Sequence, residues 1–108
     1  MTVPCDAVSV HVTAPDVECA RRLARAVVED RLAACVNVLP GMCSVYRWEG
    51  DVHEDDEVLL LVKTRRALVP ALLARLEELH PYEVPCVLVL PIEDGLASYL
   101  RWLDDSTR

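Results

Sequence analysis

Phenylalanine is absent from the chain, and all aromatics together make up 5 per cent of it. The core must therefore be valine, leucine and alanine. No C-x-x-C pair occurs, and the five cysteines (Cys5, Cys19, Cys35, Cys43 and Cys86) are odd in number. A disulfide framework and a structural zinc site are both disfavoured by that pattern; reduced, mostly buried thiols are expected. No apolar run approaches the ~20 residues that span a bilayer. Met1 to Asp6 lacks the charged and apolar regions of a secretory leader. The expected location is the cytoplasm, with no membrane partner. Basic residues are outnumbered, 11 against 18 acidic, for a formal charge of −7. Such a chain is a poor partner for nucleic-acid phosphates. There are no internal repeats, linkers or low-complexity segments.

What is present is 53 per cent hydrophobic residues in 108, enough for one domain spanning residues 1–108 with its own core. Ala7 to Thr13 alternates apolar and polar, which predicts a half-buried strand. Asp16 can cap a helix whose apolar positions, Val17, Ala20, Leu23, Ala24, Val27 and Val28, fall at helical spacing as far as about Arg31. Leu32 to Leu39 reads as a strand that bends at Pro40-Gly41 and resumes over Cys43 to Trp48. There Ser44, Tyr46 and Trp48 share one face. Glu49-Gly50-Asp51 supplies a turn, His53 to Asp56 is polar, and Val58 to Thr64 is the returning strand. Pro70 is tolerated only in a first helical turn, so the second helix begins near Ala67 or Leu68. Its buried stripe is Leu68, Leu72, Leu73, Leu76 and Leu79. Pro81 ends it at about Leu79, and Val87 to Leu90 is a short apolar strand closed by Pro91. Leu96, Tyr99, Leu100 and Leu103 mark a short terminal helix with Trp102 on its flank. This order is the split βαβ pattern of a ferredoxin-like α+β sandwich, with an antiparallel sheet and a long hairpin. Val58 to Val62 and Val87 to Leu90 are apolar on both faces, which would leave an isolated subunit with a large apolar surface. Self-association is the expected remedy.

Particular residues carry a family resemblance over nearly the whole chain. They are Thr13-Ala14-Pro15-Asp16, Arg31 to Asn37, Pro40-Gly41, Ser44, Tyr46, Trp48-Glu49-Gly50, Glu57, Lys63-Thr64 and His80 to Pro85. Leu90-Pro91, Gly95, Tyr99-Leu100 and Trp102 continue the match. The chain resembles the CutA-type divalent-cation tolerance proteins. The resemblance implies a compact homotrimer similar in architecture to PII signalling proteins, a cytoplasmic location, a role in the response to metal ions, and no enzymatic activity. Family members with assigned copper ligands carry a cysteine before the Thr-Ala-Pro-Asp segment and paired histidines before Pro-Tyr. Here Val12 and Leu79 stand at the first two of those positions, and His80 alone remains. Many members also carry glutamate where this chain has Cys86.

The candidate site centres on the connector His80-Pro81-Tyr82-Glu83-Val84-Pro85, whose prolines hold side chains in place at little entropic cost. His80 is the expected metal ligand, with Cys86 and Cys35 as possible partners, for weak copper or zinc binding not required for folding. Such binding should fall in acid, because imidazole must be deprotonated to ligate. A pocket between subunits is expected from Tyr82 and Glu83, with Tyr46 and Trp48 as walls and Lys63 as a cation for an anionic ligand. In the bland alternatives His80 caps the helix end, Glu83 pairs with an arginine and Cys35 is a small core residue. The acidic run Asp51 to Asp56 lacks EF-hand spacing and reads as a solvated hairpin tip. Three function classes follow: a metal-responsive trimer, a PII-like regulatory trimer binding a small anion or protein partner, and an enzyme using Cys35 or Cys86 with His80. For the enzyme, no nucleophile–base–orienter set is readable.

Overall fold

A computed structural model describes residues 6–108; Cys5 lies outside them. The chain runs β1 (Ala7–Ala14), α1 (Val17–Glu29), β2 (Cys35–Trp48), β3 (Asp51–Arg65), α2 (Val69–Leu79), β4 (Val87–Pro91) and α3 (Ala97–Ser106). The four strands form one antiparallel sheet in the order β2-β3-β1-β4. This is the expected ferredoxin-like α+β arrangement.

Alternation along the strands divides the sheet into two faces. Val8, Val10, Val12 and Ala14 of β1 and Val58, Leu60 and Val62 of β3 are buried in one cluster with Ala20, Leu23 and Val27 of α1 and Leu72 and Leu76 of α2. The Asp16 carboxylate caps α1, accepting from the Cys19 amide at 2.7 Å. The opposite, outer face has no such cover along most of its length. Of the helices, α3 alone packs there, at one end, where Leu100 and Leu103 meet Ala7, Ala34 and Ile92. The Arg65 guanidinium fixes α3 by donating to the Thr107 hydroxyl and carbonyl, both at 2.8 Å. Between α3 and the far end, Leu88 is 60 per cent exposed, and Leu39 and Leu90 are exposed as well.

Several boundaries depart from the sequence reading. Leu32 to Ala34 is not strand: Arg31 takes a φ of 59° after α1, and the chain crosses to the sheet before Ala34 donates to the Lys63 carbonyl. Helix α1 accordingly stops at Glu29 rather than Arg31. A 3-10 turn over Arg66–Leu68 precedes α2, which begins at Val69 rather than at residue 67 or 68. The terminal helix extends to Ser106, three residues past Leu103. Strand β2 does not break at Pro40-Gly41 but continues through a bulge between Leu39 and Met42. The polar residues His53 to Asp56 belong to β3.

The bulge positions the site. Cys35, Asn37 and Leu39 pair with Lys63, Leu61 and Leu59, so odd-numbered β2 residues lie on the outer face. Pro40 and Gly41 then stand opposite the single residue Val58, one residue extra, before Met42 pairs with Glu57 and Ser44 with Asp55. The parity is reversed, as a bulge requires: Ser44, Tyr46 and Trp48 now join Glu57 on the outer face. Pro40 has no amide to lose from the ladder, and Gly41, at φ 86°, takes the left-handed conformation that glycine tolerates. A two-residue turn at Glu49 and Gly50, with φ of 50° and 86°, closes the hairpin.

Candidate functional site

Helix α2 delivers the connector to the end of the outer face that α3 leaves open. His80 is its anchor and is 7 per cent exposed. Its Nε2 lies 2.7 Å from the Thr13 carbonyl, and its Nδ1 lies 3.1 Å from the Tyr82 amide nitrogen. A carbonyl only accepts and an amide only donates, so the ring is the Nε2–H tautomer and both nitrogens are occupied. The imidazole thereby ties the connector to β1 and turns Tyr82 back over the sheet. The Tyr82 hydroxyl donates to Glu57 Oε2 at 2.8 Å.

Around this bond lies a cavity of about 580 Å³, lined by Thr13, Ser44, Tyr46, Trp48, Glu57, Pro81, Tyr82, Glu83, Val84 and Cys86. Four of the five residues expected to form a pocket, Tyr46, Trp48, Tyr82 and Glu83, line it together. Lys63 does not; its ammonium donates to the Asn37 side chain. Lys63 shares the outer face with Glu57 but stands six residues along β3, roughly 20 Å away at ~3.3 Å per residue. Glu57 takes the place in the pocket that sequence reasoning gave to Lys63. It is 8 per cent exposed and appeared in the sequence only among the residues carrying the resemblance. The charged residues lining the cavity, Glu57 and Glu83, are both acidic. The Tyr46 hydroxyl donates to Asp55 at the cavity's edge.

The proposed metal ligands are only partly brought together within one subunit. Cys86 lines the cavity, and its carbonyl accepts from the Thr13 amide at 3.4 Å, so Cys86 and His80 flank the same residue. Cys35 is elsewhere. It pairs with Lys63, which pairs with Ser9, four residues along β1 from Thr13, or roughly 13 Å. The Cys35 thiol stands instead beside Tyr99 of α3, where it adds to the effect of burial in raising the phenol above its usual range. Among the described residues no group of three or more His, Cys, Asp or Glu is placed to hold a metal. Glu54 of the acidic hairpin lies 3.7 Å from the Cys43 thiol, with geometry for a hydrogen bond.

Burial first, then the hydrogen bond and charge of Glu57, push the Tyr82 phenol above its ordinary value near 10. A folded-state value above the unfolded one means the native protein holds its proton longer. Stability is then intact below pH 10 and declines as pH rises beyond it. Tyr46 and Tyr99 are raised too, so alkaline denaturation should show a composite slope. In Tyr82→Phe, denaturant midpoints measured across the alkaline range should fall less steeply than in the wild type. An unchanged slope would remove Tyr82 from the account.

A four-stranded ferredoxin-like sheet with an overlong β2–β3 arm and a connector folded over its outer face defines a recognisable class of small α+β proteins. Comparison with known proteins places the chain within it. Residues 8–106 match the family model described as CutA1 divalent ion tolerance protein, and the chain belongs to that family. It is 53 per cent identical over 98 residues to the divalent-cation tolerance protein CutA of Thermus thermophilus, covering 91 per cent of this chain and 95 per cent of that one. It is 49 per cent identical over 107 residues to the chloroplastic protein CutA 1 of Oryza sativa subsp. japonica, covering 99 per cent of this chain and 59 per cent of the rice protein's length. The crystal structure of CutA1 from Oryza sativa superposes with a TM-score of 0.93 at 47 per cent identity, over 96 per cent of this chain and 95 per cent of that one.

Proposed function

We propose that the chain acts as a cytoplasmic homotrimer in the response to divalent metal ions, contacting copper or zinc weakly and without enzymatic activity. The observation that carries the assembly is the outer face. Leu39, Leu88 and Leu90 are exposed there beside the half-buried Leu59 and Leu61. Although Ser9, His11 and Thr13 of β1 stand between the leucines of β3 and those of β4, so many exposed or half-buried leucines on one sheet face are uncommon on a soluble monomer. Membership of the divalent-cation tolerance family supports the metal response. Among the described residues no helix is long and apolar enough to cross a membrane, which is compatible with the proposed location.

Weak metal binding follows from the state of His80. A metal at Nδ1 must displace the Tyr82 amide, and leaving that donor unpaired costs about 1–3 kcal/mol. That is about 5- to 150-fold in affinity. Cys86 is the second ligand available within the subunit; Cys35 could join only from another subunit. Light scattering at micromolar concentration should give the mass of three chains; a stable monomer would sink the assembly. Copper titration under reducing conditions should show weak, substoichiometric binding that His80→Ala reduces. Equal binding by both proteins would remove His80. Binding that survives in His80→Ala, Cys86→Ser would place the metal elsewhere.

A further inference from the structure

We propose that the cavity under the connector binds a small organic cation, its ammonium group held by the aromatic faces of Tyr46, Trp48 and Tyr82 against the Glu57 carboxylate. Glu57 is more than nine-tenths buried. One of its oxygens takes the Tyr82 hydroxyl; the other accepts no hydrogen bond among the described residues, although Glu57 lines the cavity. Among the described residues no buried side-chain oxygen lacks a partner, so this second oxygen is open to solvent, and a ligand in the cavity can replace water as its donor. No lysine, arginine or histidine lines the cavity to supply it, and Glu83 adds a second negative charge. The Tyr82 phenol, held above its ordinary value, keeps its proton and goes on donating it to Glu57.

These features select among ligands. An anion would meet two carboxylates and no cation, because Lys63 is engaged with Asn37 at the other end of the face. A metal ion would exchange its water shell for tyrosine, tryptophan, proline and valine walls, without three ligating side chains to replace it. An ammonium group bearing carbon substituents suits both parts of the site. Aromatic faces attract its charge and shed its weakly held water, while the carboxylate supplies the counter-charge. The inference requires no metal.

The test is calorimetric titration of the purified, assembled protein with choline, with a chelator present so that the outcome is independent of the metal reading. The uncharged carbon isostere, dimethylbutanol, is titrated in parallel. Choline should bind and shift the Trp48 indole N–H resonance, and the isostere should bind at least about tenfold more weakly. Glu57→Gln should weaken choline by about tenfold or more and leave the isostere unchanged. Glu83→Gln, at an exposed residue, should produce a smaller loss in a protein whose folding is not in question. No choline binding by the wild type would overturn the proposal, and would also result if a neighbouring subunit fills the cavity with its own cation. Equal affinity for choline and isostere, choline binding unchanged in both variants, or displacement of choline by inorganic phosphate from this cavity would overturn it too.

Discussion

Leu60→Asp should leave almost no folded protein at room temperature, whereas Leu88→Asp should leave a folded subunit that no longer assembles. The sequence puts both leucines in apolar strands that look alike. The structure separates them completely. Leu60 is 0 per cent exposed in the cluster between sheet and helices. Aspartate there loses the leucine's packing and buries an unpaired carboxylate, which together cost more than about 5 kcal/mol. That is most of the stability of an ordinary domain of this size. Leu88 pairs with His11 on the outer face, where most of its side chain meets water in the single subunit. A charge costs little there until other copies approach. Against a neighbour's apolar face it must be desolvated, and symmetry repeats the penalty in every subunit. Circular dichroism should therefore show a coil for Leu60→Asp and native-like structure for Leu88→Asp. Sedimentation of the latter should give a single chain. An unaltered assembly in Leu88→Asp would mean that the outer face is not the contact.

His80→Ala should destabilise the protein by about 2–4 kcal/mol, a large loss for one side chain at the end of a helix. The ring's two nitrogens serve two backbone groups, the Thr13 carbonyl and the Tyr82 amide. Alanine leaves both without their present partners. The connector then loses its tie to β1, and Tyr82 its reason to lie over Glu57. Denaturant unfolding should show the stability loss, and the Trp48 environment should change in the native baseline. Substitution to glutamine cannot reproduce both contacts from one planar ring, so it should recover only part of the loss. If His80→Ala proved as stable as the wild type, the imidazole would have to be held for ligand binding rather than for structure.

The core elements were legible because each declares itself through period and punctuation. Ala7 to Thr13 alternates cleanly, Pro70 marks a first turn, and His80-Pro81 forces the end of α2 that is observed. The distal half of β3 was not legible for a physical reason. Residues 51–57 pair only with β2, beyond the reach of β1, so both faces meet solvent over most of that length and no apolar alternation develops. The pocket was half legible. A proline-framed connector announces that Tyr82 and Glu83 will be held rigidly. Parity puts Lys63 on the correct face but says nothing about which end of a long strand lies under the connector. Glu57 closes an acidic run and looks like one more solvated charge. Its burial is created by Tyr82, which is 25 residues away in sequence.

The extended arm of β2 and β3 gives the subunit dimensions of 48 × 24 × 23 Å, and it divides the molecule in time as well as in space. The part next to β1 shares in the core and can form as soon as one chain collapses. The outer part is a two-stranded ribbon, which by itself is marginal in water. In the proposed assembly other copies would lie against it and steady its ladder. Under that proposal, collapse of the core would be a property of the single chain and independent of dilution, while rigidity of the arm would be a property of the population and rise with concentration. A newly made chain would pass through an interval in which its helices and central strands are native and its arm still samples alternatives, open to pairing with whatever strand edge it meets first. The acidic side chains of Asp51, Glu54, Asp55 and Asp56 would make that interval safer, since like-charged ribbons repel one another until the correct apolar faces are brought into register.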